Sequence, residues 1–193
     1  EYFLNDFEVN NDVLILDRDD KYVANFGKQW RDHVDIQIDS KNGTTCSQDL
    51  LENVIFDDLS YFEGKSVLEI GCGAGRFSEH IAKHAKNCVL VDLSQAIFFN
   101  VAQSNDSALR IKADFLKLTP NKKFDIVLCR GVLQHTPSPE ESIKKLYEFV
   151  KADGEVVFDI YPPPKVGFLS PKYWLWRPLF KNLIQYEKGE IFL

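Results

Sequence analysis

Three glycines at alternate positions, Gly71, Gly73 and Gly75, follow Glu69 where a short apolar run at 66–70 gives way to a helical pattern. Without a Cβ, glycine takes positive φ and lets the backbone approach a ligand closely. Backbone N–H groups at the start of the following helix can then face an anionic group. Asp92 closes the next apolar run, at 88–91, with Leu93 beside it as a further contact. A carboxylate at that place can accept both hydroxyls of a ribose. The dinucleotide fingerprint G-x-G-x-x-G requires its third glycine at position 76, where this chain has Arg76. A carboxylate such as Glu69 beside the loop repels phosphates but helps to hold an ammonium, directly or through water.

The segment Glu69-Ile-Gly71-Cys-Gly73-Ala-Gly75 resembles the E/D-x-G-x-G-x-G signature of class I S-adenosylmethionine-dependent methyltransferases. The resemblance covers about residues 64–160. It implies S-adenosyl-L-methionine as cofactor, held by Glu69, the three glycines, Asp92 and Leu93. It also implies that the residues after the third strand meet the adenine: Asp114 would accept a hydrogen bond from the exocyclic amine while Phe115 packs on the ring. The alternative for Asp114 is a helix cap. Arg130 through His135, following the fourth strand, would line the methyl-transfer site, with Arg130 touching the cofactor. His135 is the candidate catalytic base, because imidazole titrates near working pH and a hydroxyl acceptor must lose a proton. Its alternative is a backbone hydrogen bond or a turn cap. The Asn/Asp-Pro-Pro-Tyr/Phe motif of amide- and base-nitrogen methylation is absent after the fourth strand. Tyr161-Pro-Pro-Pro164 follows the fifth strand and reads as a rigid exit from the sheet.

These residues need an α/β scaffold. Apolar runs at 66–70, 88–91, 109–112, 124–129 and 155–160 alternate with amphipathic stretches, including 75–86 and one helix capped by Ser94 that carries Ile97, Phe98 and Val101. Ser138, Pro139, Glu140 and Glu141 open a further helix, ended by Ala152-Asp153-Gly154. Such alternation predicts a Rossmann-like, doubly wound, mostly parallel sheet with helices on both faces, and ligands bind beyond the carboxyl ends of its strands. Thr45-x-x-Gln48 reads as a capping box before an amphipathic helix with Leu50, Leu51, Val54, Ile55, Leu59 and Phe62. Residues 1–46 form a polar segment in which Tyr22, Phe26 and Trp30 repeat every four residues, as core packing or as a lid. Phe26–Trp30 and Asn42–Thr45 also resemble, loosely, segments of some bacterial small-molecule and sugar methyltransferases. Residues 47–160 are the cofactor-binding domain. Residues 161–193 are expected to form a Trp/Pro-rich cap or docking helix, or a membrane-surface contact through 172–184, in place of the family's last strands.

Composition narrows the field. A 45% hydrophobic and 27% charged chain of 193 residues is globular. Its net charge of −6 argues against nucleic acid as partner. Cys46, Cys72, Cys88 and Cys129 show no zinc spacing and read as free thiols of a reducing cytoplasm. No metal is expected: His80 and His84 lack an intervening glutamate and read as a solvated helix face. Glu1-Tyr2-Phe3 has no basic start, so no leader is expected there, and the lack of methionine suggests a piece of a longer protein. The expected function is methyl transfer to a small-molecule or glycan-type acceptor, most plausibly at oxygen. The alternatives are a non-catalytic cofactor-binding module and a nicotinamide-dependent oxidoreductase.

Overall fold

The alternating apolar runs fold as a seven-stranded sheet. The computed structural model describes residues 2–18 and 34–160. These belong to one compact unit, Glu1–Ile160. In chain order the strands are β1 (Glu8–Asn10), β2 (Val13–Ile15), β3 (Ser66–Ile70), β4 (Asn87–Asp92), β5 (Ala108–Lys112), β6 (Phe124–Cys129) and β7 (Val150–Phe158). Their spatial order is β1-β2-β5-β4-β3-β6-β7, parallel except for the β1–β2 hairpin. The winding runs one way through β3, β4 and β5, then reverses to β6 and β7. A crevice therefore opens at the carboxyl ends of β3 and β6.

The central strands β3, β4 and β6 bury both faces, because successive side chains point to opposite sides. Val67, Cys88, Leu90, Ile126 and Leu128 join one core with Ile81 of helix α4 (Ser78–His84). Leu68, Val89, Val91, Val127 and Cys129 join the other with Leu146 and Phe149 of helix α5 (Pro139–Phe149). As expected, Ser138 caps α5, its Oγ accepting from the N–H of Glu141.

The N-terminal segment contributes strands that its polar composition does not announce. Asn11 and Asp12 take positive φ, 49° and 59°, which a two-residue hairpin turn requires. They fold β1 onto β2, and β2 extends the parallel sheet beside β5. Phe3 packs on Phe124 and Phe149 within the second core, a burial worth about 2 kcal/mol. The aromatic repeat at Tyr22, Phe26 and Trp30 lies outside the described residues, as do Tyr161–Pro164 and the segment 172–184.

Other boundaries shift for tertiary reasons. The helix expected from Thr45 to Phe62 is three pieces: α3 (Cys46–Leu50), a wide π-type turn Leu51–Ile55 and a 3-10 turn Leu59–Phe62. Thr45 does not cap it. The Asp39 carboxylate, on the short helix α2 (Asp39–Asn42) that follows α1 (Val34–Gln37), accepts from the N–H groups of Ser47 and Gln48 at 2.9 Å each. Helix α5 stops at Phe149, earlier than Ala152-Asp153-Gly154, because pairing with β6 begins at Val150 and resumes at Glu155 after an irregularity. All four cysteines are free thiols.

Candidate functional site

The chain leaves β3 at Ile70 and turns through the glycine loop into α4. Gly71, Gly73 and Gly75 have φ of 72°, 52° and 105°, a region that side-chain-bearing residues rarely adopt. Gly71 is also sterically fixed, since a Cβ there would lie 2.0 Å from Val132 Cγ2. The turn after β6 thus packs directly on the glycine loop.

The loop's first amides point inward. The N–H groups of Gly71 and Cys72 donate to the Val91 carbonyl at 2.7 and 3.3 Å, and that of Gly73 to Asp92 Oδ2 at 2.7 Å. This departs from an anion cradle, because three donors a phosphate would use already have protein acceptors. Two carboxyls flank the loop instead. Glu69 is buried, 3% exposed, and accepts a 2.6 Å hydrogen bond from Ser78 Oγ. Burial pushes its carboxyl up to about 8, against the pull of the Ser78 hydrogen bond and with a smaller push from the Asp92 charge. Asp92 is raised above the usual carboxylate range by burial, opposed by hydrogen bonds from the Ser94 hydroxyl and N–H and from Gly73, and by Lys112. Such a pair of carboxyl acceptors suits a cationic ligand bearing hydroxyls.

A carboxylate offers about four lone-pair sites. In Asp92, Gly73 N–H, Ser94 N–H and Ser94 Oγ take three. Accepting both hydroxyls of a ribose therefore requires the Ser94 hydroxyl to turn away. Leu93, half-buried, lies between Asp92 and Ser94.

At the end of β5, Asp114 caps the 3-10 turn Phe115–Lys117, its Oδ1 accepting from Leu116 N–H at 3.1 Å. Its own N–H donates to Asp17 Oδ2 at 2.9 Å. Phe115 belongs to the second core and is 6% exposed, so what it could show a ligand is limited to a ring edge. Arg130 pairs with Asp159 at 3.1 Å, and Asp159 Oδ1 also accepts from Gly131 N–H. His135 ends the 3-10 turn Leu133–His135 and is exposed, its N–H bonded to the Val132 carbonyl. Beside it, both polar side-chain atoms of Gln134 are buried without a hydrogen-bond partner. Buried polar groups are generally paired, so an unpartnered amide at this place is one that a bound molecule could satisfy.

The structure thus brings Glu69, the glycines, Asp92, Leu93, Asp114, Arg130 and His135 to one edge of the sheet. It moves His80 elsewhere in function. Rather than lying on a solvated face, His80 is buried with Nε2 3.1 Å from Asp39 Oδ2. Asp39 stays below the usual carboxylate range: burial would raise it, and the N–H groups of Gln48 and Ser47, His80 and Thr44 outweigh that. Among the described residues no cluster of metal ligands occurs and no helix is long and apolar enough to cross a membrane. Sequence reasoning missed Asp17, Ser78, Asn100 and Asp159, and placed Gln134 only within the stretch from Arg130 to His135 expected to line the methyl-transfer site. Asp159 follows the fifth strand much as Asp92 closes the second, which was a usable signal. Asn100 interrupts a helical pattern with a poor helix former, which was another.

Comparison with known proteins follows the same line. The family described as a methyltransferase domain matches residues 47–186. A ubiquinone biosynthesis O-methyltransferase of Pseudomonas putida (strain GB-1) is 30% identical over 122 residues, which are 59% of this chain and 52% of that protein. Its namesake from Coxiella burnetii (strain Dugway 5J108-111) is 30% identical over 102 residues, 50% and 43% respectively. The chain spans about half the length of these curated relatives. A Haemonchus contortus phosphoethanolamine N-methyltransferase, solved with phosphoethanolamine and S-adenosylhomocysteine, superposes with a TM-score of 0.56 at 20% identity, over 72% of this chain and 31% of that one. The N-methyltransferase NodS from Bradyrhizobium japonicum WM9, solved with S-adenosyl-L-homocysteine, gives 0.50 at 24%, over 58% and 59%. At these identities the two structures establish a shared fold.

Proposed function

The chain belongs to the methyltransferase-domain family, and from that premise we propose that it transfers a methyl group from S-adenosyl-L-methionine to an oxygen of a small-molecule or glycan-type acceptor. The observation that carries the reading is the glycine loop with its first three amides turned inward, the buried Glu69 carboxyl on one side and the half-buried Asp92 carboxyl on the other. When bound, the cofactor supplies an electrophilic methyl on a sulfonium. Glu69 would hold the amino acid and sulfonium end, giving up its proton as the cation binds, and Asp92 would accept from the ribose. Leu93, Asp114 and the edge of Phe115 border the base, and Arg130, held by Asp159, closes the side toward β7. In-line displacement needs the acceptor oxygen about 3 Å from the methyl carbon, opposite the sulfur, so positioning and exclusion of water carry much of the rate. A ring nitrogen of His135 takes the hydroxyl proton as the new bond forms. Oxygen is favoured as acceptor because both 30%-identical relatives are O-methyltransferases by name.

The test has two stages. S-adenosylhomocysteine at about 100 times its Kd should stabilise the folded state by about 2.7 kcal/mol, read as a rise in Tm. The protein with S-adenosylmethionine and a panel of phenols, catechols and sugars should then yield a product methylated at oxygen, with His135→Ala slowing turnover. Affinity for NAD and none for S-adenosylhomocysteine would refute the cofactor. Binding without product from any acceptor would leave a binding module, and methylation at nitrogen would refute the acceptor atom.

A further inference from the structure

The hydrophobic spacing of Ile97, Phe98 and Val101 predicts one helix after Ser94, yet the structure breaks it. Two 3-10 turns, Gln95–Phe99 and Val101–Ser104, meet at Asn100, whose φ and ψ of −58° and 124° are not helical. The break places a fully buried amide under the glycine loop. Asn100 Nδ2 donates to the Gly73 carbonyl at 3.1 Å and to Ser78 Oγ at 3.3 Å, while Oδ1 accepts from Ala102 N–H at 3.0 Å. Both hydrogens of the amide are used, and the polarity is fixed. Ser78 Oγ receives from Asn100 and must send its own proton on to Glu69 Oε2, 2.6 Å away. Gly73 is gripped at both ends of its residue, by Asn100 at its carbonyl and by Asp92 at its N–H. The next residue adds to the hold: Val101 N–H donates to the Ala74 carbonyl at 2.9 Å. The fit is close, since a Cβ on Gly75 would lie 2.7 Å from Asn100 Oδ1 and 2.9 Å from Val101 Cγ2.

We infer that Asn100 is a positioning residue that sets the glycine loop and aligns Glu69 and Asp92 for the cofactor. Its purpose accounts for a local cost: the helix that the apolar spacing favours is given up so that one side chain can bond the loop at two points. The inference rests on the cofactor reading above. The near-isosteric acid Asn100→Asp keeps the shape but, when ionised, cannot donate to the Gly73 carbonyl. It also competes with Glu69 for the Ser78 proton. Asn100→Ala removes all three bonds.

The assay is calorimetric affinity for S-adenosylhomocysteine, set beside Tm, for wild type, N100A, N100D and a remote core variant, Phe62→Leu. Both Asn100 variants should bind at least about ten-fold more weakly, while Phe62→Leu binds as wild type does despite its own loss of Tm. A merely structural role would lower Tm in all three and leave affinity unchanged in the folded fraction, which overturns the inference. A wild-type protein that binds NAD and not S-adenosylhomocysteine overturns the cofactor reading and the inference with it, a result distinct from the first. Wild-type hydrogen exchange decides the matter even where the variants fail to fold. Adding S-adenosylhomocysteine should slow exchange at 71–75 and at 95–104 together, and protection of the first segment alone also overturns the inference.

Discussion

Replacing Glu69 with glutamine measures what it costs to keep an acid beneath the glycine loop. Burial raises this carboxyl to about 8 in the folded protein, with Ser78 opposing and Asp92 adding to the shift. In the unfolded chain it titrates near 4.3. At about 1.4 kcal/mol per unit, the gap is worth roughly 5 kcal/mol. Between these two values the folded state binds more protons than the unfolded one. Its contribution to stability is therefore fully present below about pH 4.3, declines as pH rises, and is lost above about pH 8. Glutamine is neutral throughout. E69Q should come close to wild type near pH 5 and gain on it as pH rises to about 8, the difference in Tm reaching about 10–20 °C near pH 9 at 2–4 °C per kcal/mol. Thermal melts of both proteins across that range check the prediction, and a difference that stays constant with pH refutes it. The same charge logic extends to binding. A cation brought near Glu69 lowers its pKa, so S-adenosylmethionine binding near pH 7 should release a proton. Calorimetry in buffers of different ionisation enthalpy reads that proton, and E69Q should abolish it. A binding enthalpy in wild type that ignores the buffer would refute the electrostatic account of the loop.

Gly71→Ala should lower Tm by roughly 10 °C, from a left-handed backbone cost of about 1–2 kcal/mol and an overlap with Val132 of similar size. Adding Val132→Ala should restore part of the loss, and a double variant showing only the sum of two losses would refute the steric argument. Gln134→Leu removes a buried amide that has no partner, so it should raise the Tm of the ligand-free protein, by about 1–3 kcal/mol of stability, while reducing turnover. A lower Tm would show that the amide is satisfied in solution. Asp39→Asn weakens the acceptor for Ser47, Gln48 and His80 and should cost about 1–3 kcal/mol in urea melts near pH 7. Because the Asp39 pKa is lowered in the folded state, this difference is present above about pH 4 and should shrink as pH falls further; a loss independent of pH would refute it.

The elements that were legible in the sequence are those whose cause is local. Residues 66–70, 88–91 and 124–129 read as strands because a parallel strand buried on both faces must be apolar at nearly every position. Ser138 and Pro139 announce α5 because a helix start has its own chemistry. What stayed hidden has causes far along the chain. His80 looks like a surface residue until Asp39, from a separate helix, arrives beside it. The Asn11-Asp12 turn was readable as a hairpin signal, but Val9 and its neighbours in β1 are exposed and carry no apolar pattern to flank it. The helix after Ser94 was assigned by its apolar spacing, and the bonds from Asn100 to Gly73 and Ser78 override that spacing.

The site follows the same division, and this bears on how a glycine-rich turn is to be interpreted. Alternating glycines say only that the backbone can turn sharply and sit close to something. Whether the turn receives anions or cations depends on where its N–H groups point. Here the carbonyl of Val91 and the carboxylate of Asp92 take the first three, and both belong to the neighbouring strand β4. With those donors turned inward and Glu69 buried below, the potential at the crevice is set by acids rather than by amides. A dinucleotide's pyrophosphate would meet two carboxyls where the first three amides are already taken, whereas a sulfonium with an ammonium would draw the proton from Glu69 and so meet complementary charge. On the proposed cofactor reading, selection between these ligands lies in the register of β3 on β4 and in the residue at position 92, and only secondarily in the glycines that make the motif visible.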